Sequence, residues 1–148
     1  NFPLEPSSEN IFYGQDVYFL GFPYSLRGHG GEINREFPLP LVKKAIVSMM
    51  PSRENGSDSF YLDGHNNPGF SGSPVIFCNP SEPPSDNNPY KVAAIISGNR
   101  INEESVYDEN KKRTHLTYKY NTGIIIAHDI NHALNIIKAN PDGYEIQN

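Results

Sequence analysis

The chain is poor in the features that would settle its class at once. It has 148 residues with one cysteine and no tryptophan, so no disulfide within the chain can staple it. No apolar run approaches the length of a membrane span, and no basic-then-apolar segment opens the sequence. Those features describe a soluble protein whose compartment stays open between the cytosol and a disulfide-free secreted state. Lys and Arg number 12 against 17 Asp and Glu, a net charge of −5, which disfavours nucleic acid because a phosphate backbone rewards clustered cations. The start Asn1-Phe2-Pro3 has no initiator Met, which suggests a processed or excised piece.

What is present is a folded domain's worth of material. Hydrophobic residues make up 36% of the chain and aromatics 11%, with no long polar tract, as one compact domain requires. Residues 1–13 read as an extended lead-in or interdomain linker, Pro- and Ser-rich apart from Ile11-Phe12-Tyr13. Asp16 to Pro23 then reads as a β-branched and aromatic strand closed by Gly and Pro. Tyr24 to Pro40, with Gly28-His29-Gly30-Gly31, reads as a loop; His29 has no second ligand at a productive spacing and no metal site is expected. Leu41 to Met50 alternates as a long strand, with Ala45, Val47 and Met49 on one face. Asn55-Gly56 signals a tight turn, and Ser59 to Leu62 returns as a short strand.

Chemistry is concentrated in Gly64-His65-Asn66-Asn67-Pro68-Gly69-Phe70-Ser71-Gly72-Ser73-Pro74. A serine between glycines in a polar loop, followed abruptly by the apolar Val75-Ile76-Phe77-Cys78, reads as a nucleophile at the mouth of a strand. Glycines admit backbone angles that let neighbouring N–H groups converge on one developing negative charge. The blander reading is an ordinary Gly/Ser/Pro turn. A serine elbow of the G-x-S-x-G kind needs a helix straight after the serine, and Pro74 with the β-rich run beyond it opposes one.

Gly69-Phe70-Ser71-Gly72-Ser73-Pro74-Val75 resembles the nucleophile motif of the trypsin-like (chymotrypsin-fold) serine peptidases in their disulfide-poor bacterial form. Gly14, Val17, Gly21, Phe22 and Pro23 fit a second pattern, the one that opens the second barrel of bacterial members. The resemblance implies that Ser71 is the nucleophile and that the N–H groups of Gly69 and Ser71 form the oxyanion hole. His65 would lie at the base of the specificity pocket, with Ser97, Gly98 and Asn99 lining it and pairing with substrate backbone. A pocket floored by His65 lacks a fixed carboxylate, so cleavage after Arg or Lys is expected to be disfavoured. Phe70 stands where zymogen-activated animal enzymes carry an aspartate, so activation by that ion pair is not available.

Beyond the motif, Asn79 to Pro89 reads as an exposed proline-rich loop and Lys91 to Gly98 as a strand buried on both faces. Arg100 to Leu116 mixes both charge signs and reads as a solvated loop, with a partner-binding role as the alternative. Thr117 to Tyr120 and Gly123 to Ala127 supply closing strands. Asp129 can cap a helix over about 129–139 with Ile130, Ala133, Leu134 and Ile137 on one face, stopped by Asn140-Pro141-Asp142-Gly143. His128 and His132 at its start read as surface or capping residues.

The expected fold is therefore all-β: a six-stranded Greek-key barrel over residues 14–148 resembling the second barrel of a trypsin-like peptidase, plus the C-terminal helix. The expected function is a serine endopeptidase acting through a Ser71 acyl-enzyme, with a polypeptide substrate and no cofactor. The family's general-base His and orienting Asp lie in a first barrel, so an upstream segment of the same protein would supply them. A base within the chain, His65 with Asp63, is the local alternative. The rival from another class is a noncatalytic pseudo-peptidase module that binds extended peptides by β-addition.

Overall fold

The computed structural model describes residues 4–25, 28–29, 38–52, 58–79 and 88–140. Most of them lie in strands: β1 (Glu5–Pro6), β2 (Asp16–Gly21), β3 (Gly28–His29), β4 (Pro38–Leu39), β5 (Leu41–Met49), β6 (Ser59–Asp63), β7 (Pro74–Cys78), β8 (Tyr90–Tyr107) and β9 (Arg113–Asp129). One helix, α1 (Ile130–Ala139), follows. The protein is thus mainly β-sheet with a C-terminal helix.

Period-two sequence patterns explain which face each strand buries. Val17 and Phe19 on β2, Phe60 and Leu62 on β6, and Val75 and Phe77 on β7 are all buried, and each alternates with more exposed neighbours. With Ala45, Val47, Phe70, Ala93, Ala94, Ile96, Ile125 and Ala127 they form one apolar cluster. Strand pairing runs β8-β7-β2-β5-β6-β9, and β9 also pairs with β8. All the pairings among these six strands are antiparallel.

The segment preceding β2 packs on the sheet. β1 pairs parallel with β8 at Lys91 and Val92, Glu5 forms an ion pair with the buried Lys91, and Ile11 joins the core. At the other end Asp129 caps α1, its carboxylate accepting from the Asn131 N–H at 2.8 Å, and Ile130 is buried. The helix contacts β8 and β9.

Several expectations are corrected. Arg100 to Leu116 is not a loop: β8 continues to Tyr107 and β9 starts at Arg113, and together they form a two-stranded arm turning at Asp108–Lys112. Both faces of that arm meet solvent, so no apolar alternation betrayed it; opposite partners such as Glu103 and Lys119 hold it instead. Tyr24 to Pro40 contains the paired β3 and β4. Met49 is exposed because a register shift between Val47 and Met49 turns it off the core face. Ile137 is likewise exposed, and Lys91 to Gly98 is buried fully on one face only, with Val92 and Ile95 half-covered and Ser97 exposed. The Asn55-Gly56 turn, most of the Asn79 to Pro89 loop, Gly30-Gly31 and the helix stop at Pro141-Asp142-Gly143 lie outside the described residues.

Candidate functional site

The connection from β6 to β7, residues 64–73, carries the serine. Its anchor is Phe70, wholly buried and packed edge-on against Phe19 with ring centroids 5.1 Å apart. Phe70 therefore points into the core. The next residue, Ser71, is exposed.

Backbone hydrogen bonds then define which N–H groups remain. Phe70 N–H donates to Asn67 O at 3.3 Å, Ser73 N–H to Phe70 O at 3.0 Å, and Gly72 N–H to Ile96 O at 2.8 Å. Among the described residues the N–H groups of Gly69 and Ser71 have no such partner, and the Ser71 hydroxyl is free as well. An exposed hydroxyl thus belongs to a turn, residues 69–73, in which the N–H groups of Phe70, Gly72 and Ser73 are tied down and those of Gly69 and Ser71 are not. Gly69 at φ +104° and Gly72 at φ +86° adopt angles that side chains resist, which gives the loop this course.

The two sequence patterns meet in space. A Cβ on Gly69 would lie 2.7 Å from Pro23 Cα and 2.8 Å from Phe22 O. One on Gly21 would lie 2.5 Å from Phe70 Cδ1 and 3.0 Å from Gly69 O. Gly21, Phe22 and Pro23 thus form the bed on which Gly69-Phe70 rests: a Cβ on Gly69 would meet backbone, and one on Gly21 would meet the buried Phe70 ring and Ser73 Oγ first.

The remaining candidates surround the same loop. Asn66 Nδ2 donates to Gly98 O at 3.2 Å, and Asn121 Nδ2 donates to Asn66 O at 2.7 Å, so the loop is tied to β8 and β9. Ser97 Oγ donates to Ile126 O at 3.1 Å, and Asn99 is half-buried. β7 pairs with β8 only as far as Ile95, with Ile96 closing onto Gly72 and Ser73; past Ile96, β8 pairs with β9 alone. Along Ser97, Gly98 and Asn99 it has no second strand partner, although Gly98 O is taken by the Asn66 amide. His65 is exposed, and its carbonyl is held by the Lys43 ammonium at 2.5 Å.

No imidazole among the described residues hydrogen-bonds Ser71, and Asp63, His65 and Ser71 share no hydrogen bond. Exposed His128 Nδ1 is 3.4 Å from Ser59 Oγ, and exposed His132 faces Asp58 at 3.7 Å. No group of three His, Cys, Asp or Glu among the described residues could hold a metal, and no helix among them is long and apolar enough to cross a membrane. Cys78 is exposed and unpaired with another cysteine.

Sequence reasoning missed Lys43 and Asn66. Asn66 carried no signal, since an amide in a polar loop looks the same buried or exposed. Lys43 did carry one: it shares the alternating face of Ala45 and Val47, where a lysine is out of place. Protein-family models, curated proteins and solved structures were all compared with the chain, and none matches.

Proposed function

We propose that the six paired strands form a Greek-key barrel and that the chain is the nucleophile-bearing half of a trypsin-like serine endopeptidase. The order β7-β2-β5-β6 supports the barrel reading, because a fourth strand returning beside the first of three consecutive ones is the Greek-key arrangement. One observation carries the enzymatic reading: the free N–H groups of Gly69 and Ser71 flank an exposed, unpartnered hydroxyl.

In this reading Ser71 Oγ attacks a peptide carbonyl carbon, and the oxygen that gains charge is held by those two N–H groups. A histidine from an upstream first barrel takes the hydroxyl proton and delivers it to the leaving amine. Water then attacks the acyl-enzyme, restoring Ser71 and releasing the acid. The β8 edge at Ser97, Gly98 and Asn99, which has no second strand partner, takes the substrate as an added strand. His65 shapes side-chain preference at the rim of the pocket, since its exposure leaves no sealed floor.

Mass spectrometry after fluorophosphonate treatment of the protein with its upstream segment tests this. One adduct on Ser71 is expected, with turnover falling by about 10⁴-fold or more in Ser71→Ala; undiminished proteolysis by that variant would overturn the reading. These 148 residues alone should label far more slowly. Equal labelling would place the base inside them.

The second reading is a noncatalytic module that binds extended peptides on the same β8 edge. The absence of an imidazole hydrogen bond to Ser71 among the described residues favours it. Peptide binding unchanged by Ser71→Ala, with no adduct in the longer protein, would select this reading.

A further inference from the structure

β5 approaches the site with its inward face, and the residue it presents there is Lys43. Phe19 on β2 pairs with Lys43 as Val17 pairs with Ala45, so the position belongs to the face that otherwise fills the core. An ammonium at such a place loses hydration, and burial indeed pushes its pKa down. An apolar residue would pack there without that cost, so the charge calls for a reason.

Its contacts supply one. Lys43 Nζ donates to His65 O at 2.5 Å and to Asn67 Oδ1 at 2.6 Å, and it stands 5.5 Å from the Phe70 ring centroid. Three residues of the nucleophile loop thus meet one cation. Asn67 in turn accepts the Phe70 N–H through its carbonyl, and its amide reaches Tyr24 Oη at 3.4 Å. Residues 67 and 70 bracket the turn whose other N–H groups, on Gly69 and Ser71, are uncommitted.

We infer that Lys43 is the positioning residue of this loop: its ammonium fixes His65 and Asn67, and so holds the Gly69 and Ser71 N–H groups on one point. The inference rests on the endopeptidase reading for its catalytic consequence, though not for the loop geometry itself. Without the charge, the His65 carbonyl and the Asn67 side chain lose their donor, and the turn gains freedom to redirect its peptide planes. Lys43 touches neither substrate nor reacting atoms, so its loss acts through Gly69 and Ser71.

The test removes the ammonium together with most of its stem and then restores both. In a Cys78→Ser background, Lys43→Cys removes the charge and aminoethylation of the new thiol restores a near-isosteric amine. Amide chemical shifts of Gly69 and Ser71 in this chain should move in Lys43→Cys and return after aminoethylation. In the longer protein the maximal rate of Ser71 fluorophosphonate labelling should fall by about 10- to 100-fold and recover on aminoethylation, with little change in probe affinity; losing one oxyanion donor outright costs about 10²–10³. Unmoved Gly69 and Ser71 signals in the folded Lys43→Cys variant would overturn the inference, as would loss that aminoethylation does not restore. If the Cys78→Ser reference itself fails to label, the endopeptidase reading fails, and the amide signals alone decide for or against Lys43.

Discussion

The β6–β7 loop that carries Ser71 and the β8–β9 arm leave the same sheet, and opposite forces hold them. The loop is fastened from below: Phe70 is buried, Gly21 and Gly69 admit backbone contact, and Lys43 bonds it from within. The arm, from Ile101 to Asn121, has no core of its own, and most of its residues are exposed. Its strands pair with each other, and side chains reach across: Thr117 Oγ1 donates to Glu103, while Tyr118 and Tyr120 donate to Glu104 at 2.8 and 2.7 Å. Burial of Phe70 and Asn66 anchors the loop. Polar pairing makes the arm extended yet replaceable.

Phe70→Ala should give the largest effect that separates the two regions. Removing a fully buried ring costs about 3–5 kcal/mol, read as a shift in the urea midpoint. The arm's amide exchange should keep its order relative to the rest of the chain. Gly21→Ala comes next, at about 1–3 kcal/mol, because the new methyl would press on Phe70 and the Gly69 carbonyl, both of which are held. A Gly21→Ala protein as stable as the parent would mean that the bed beneath the loop yields.

Cutting the arm should do far less. Ile101 pairs with Asn121, so an Asn-Gly turn joining them can replace residues 102–120. The melting temperature should move much less than in Phe70→Ala, and the Gly69 and Ser71 amide signals should stay in place; movement of those signals would make the arm part of the site.

The smallest effect is a pH response confined to the arm. Hydrogen bonds from Tyr120 and Tyr118 hold the Glu104 carboxyl below its ordinary value, and Thr117 and then Lys119 do the same for Glu103. A carboxyl depressed in the folded state contributes stability above its ordinary value, near 4.5, and loses it as pH falls through the depressed value. Tyr118 is shifted upward by Glu104, so its contribution is present below 10 and fades as pH rises through the raised value. Protection of the arm's amides, taken relative to the intrinsic exchange rate at each pH, should therefore fall at both extremes, with Glu104→Gln abolishing most of the acid-side response. An equal response in the β6–β7 loop would erase the contrast.

Much of the first region was legible in the chain. Gly69, Ser71 and Gly72 drew attention because their residue types serve a conformation, and the alternation in β2, β6 and β7 marked which side chains would meet inside. The arm was not legible, because strands wet on both faces leave no hydrophobic period, and mixed charge is equally at home in a loop. Lys43 lay between these cases: its position on the inward face was visible, but its partners were not.

The sequence by itself determined the β-rich core, the capped helix and the place of an exposed serine among glycines, since local periodicity and backbone permissiveness are properties of short stretches. Only the tertiary structure decided that Gly21 lies under Gly69 and Phe70, that β9 returns to pair with β8, that Lys43 reaches His65 and Asn67, and that the N–H groups of Gly69 and Ser71 are left unpaired. Those relations join residues far apart in the chain, and a hydrogen bond has an owner only once every competing donor and acceptor has been placed.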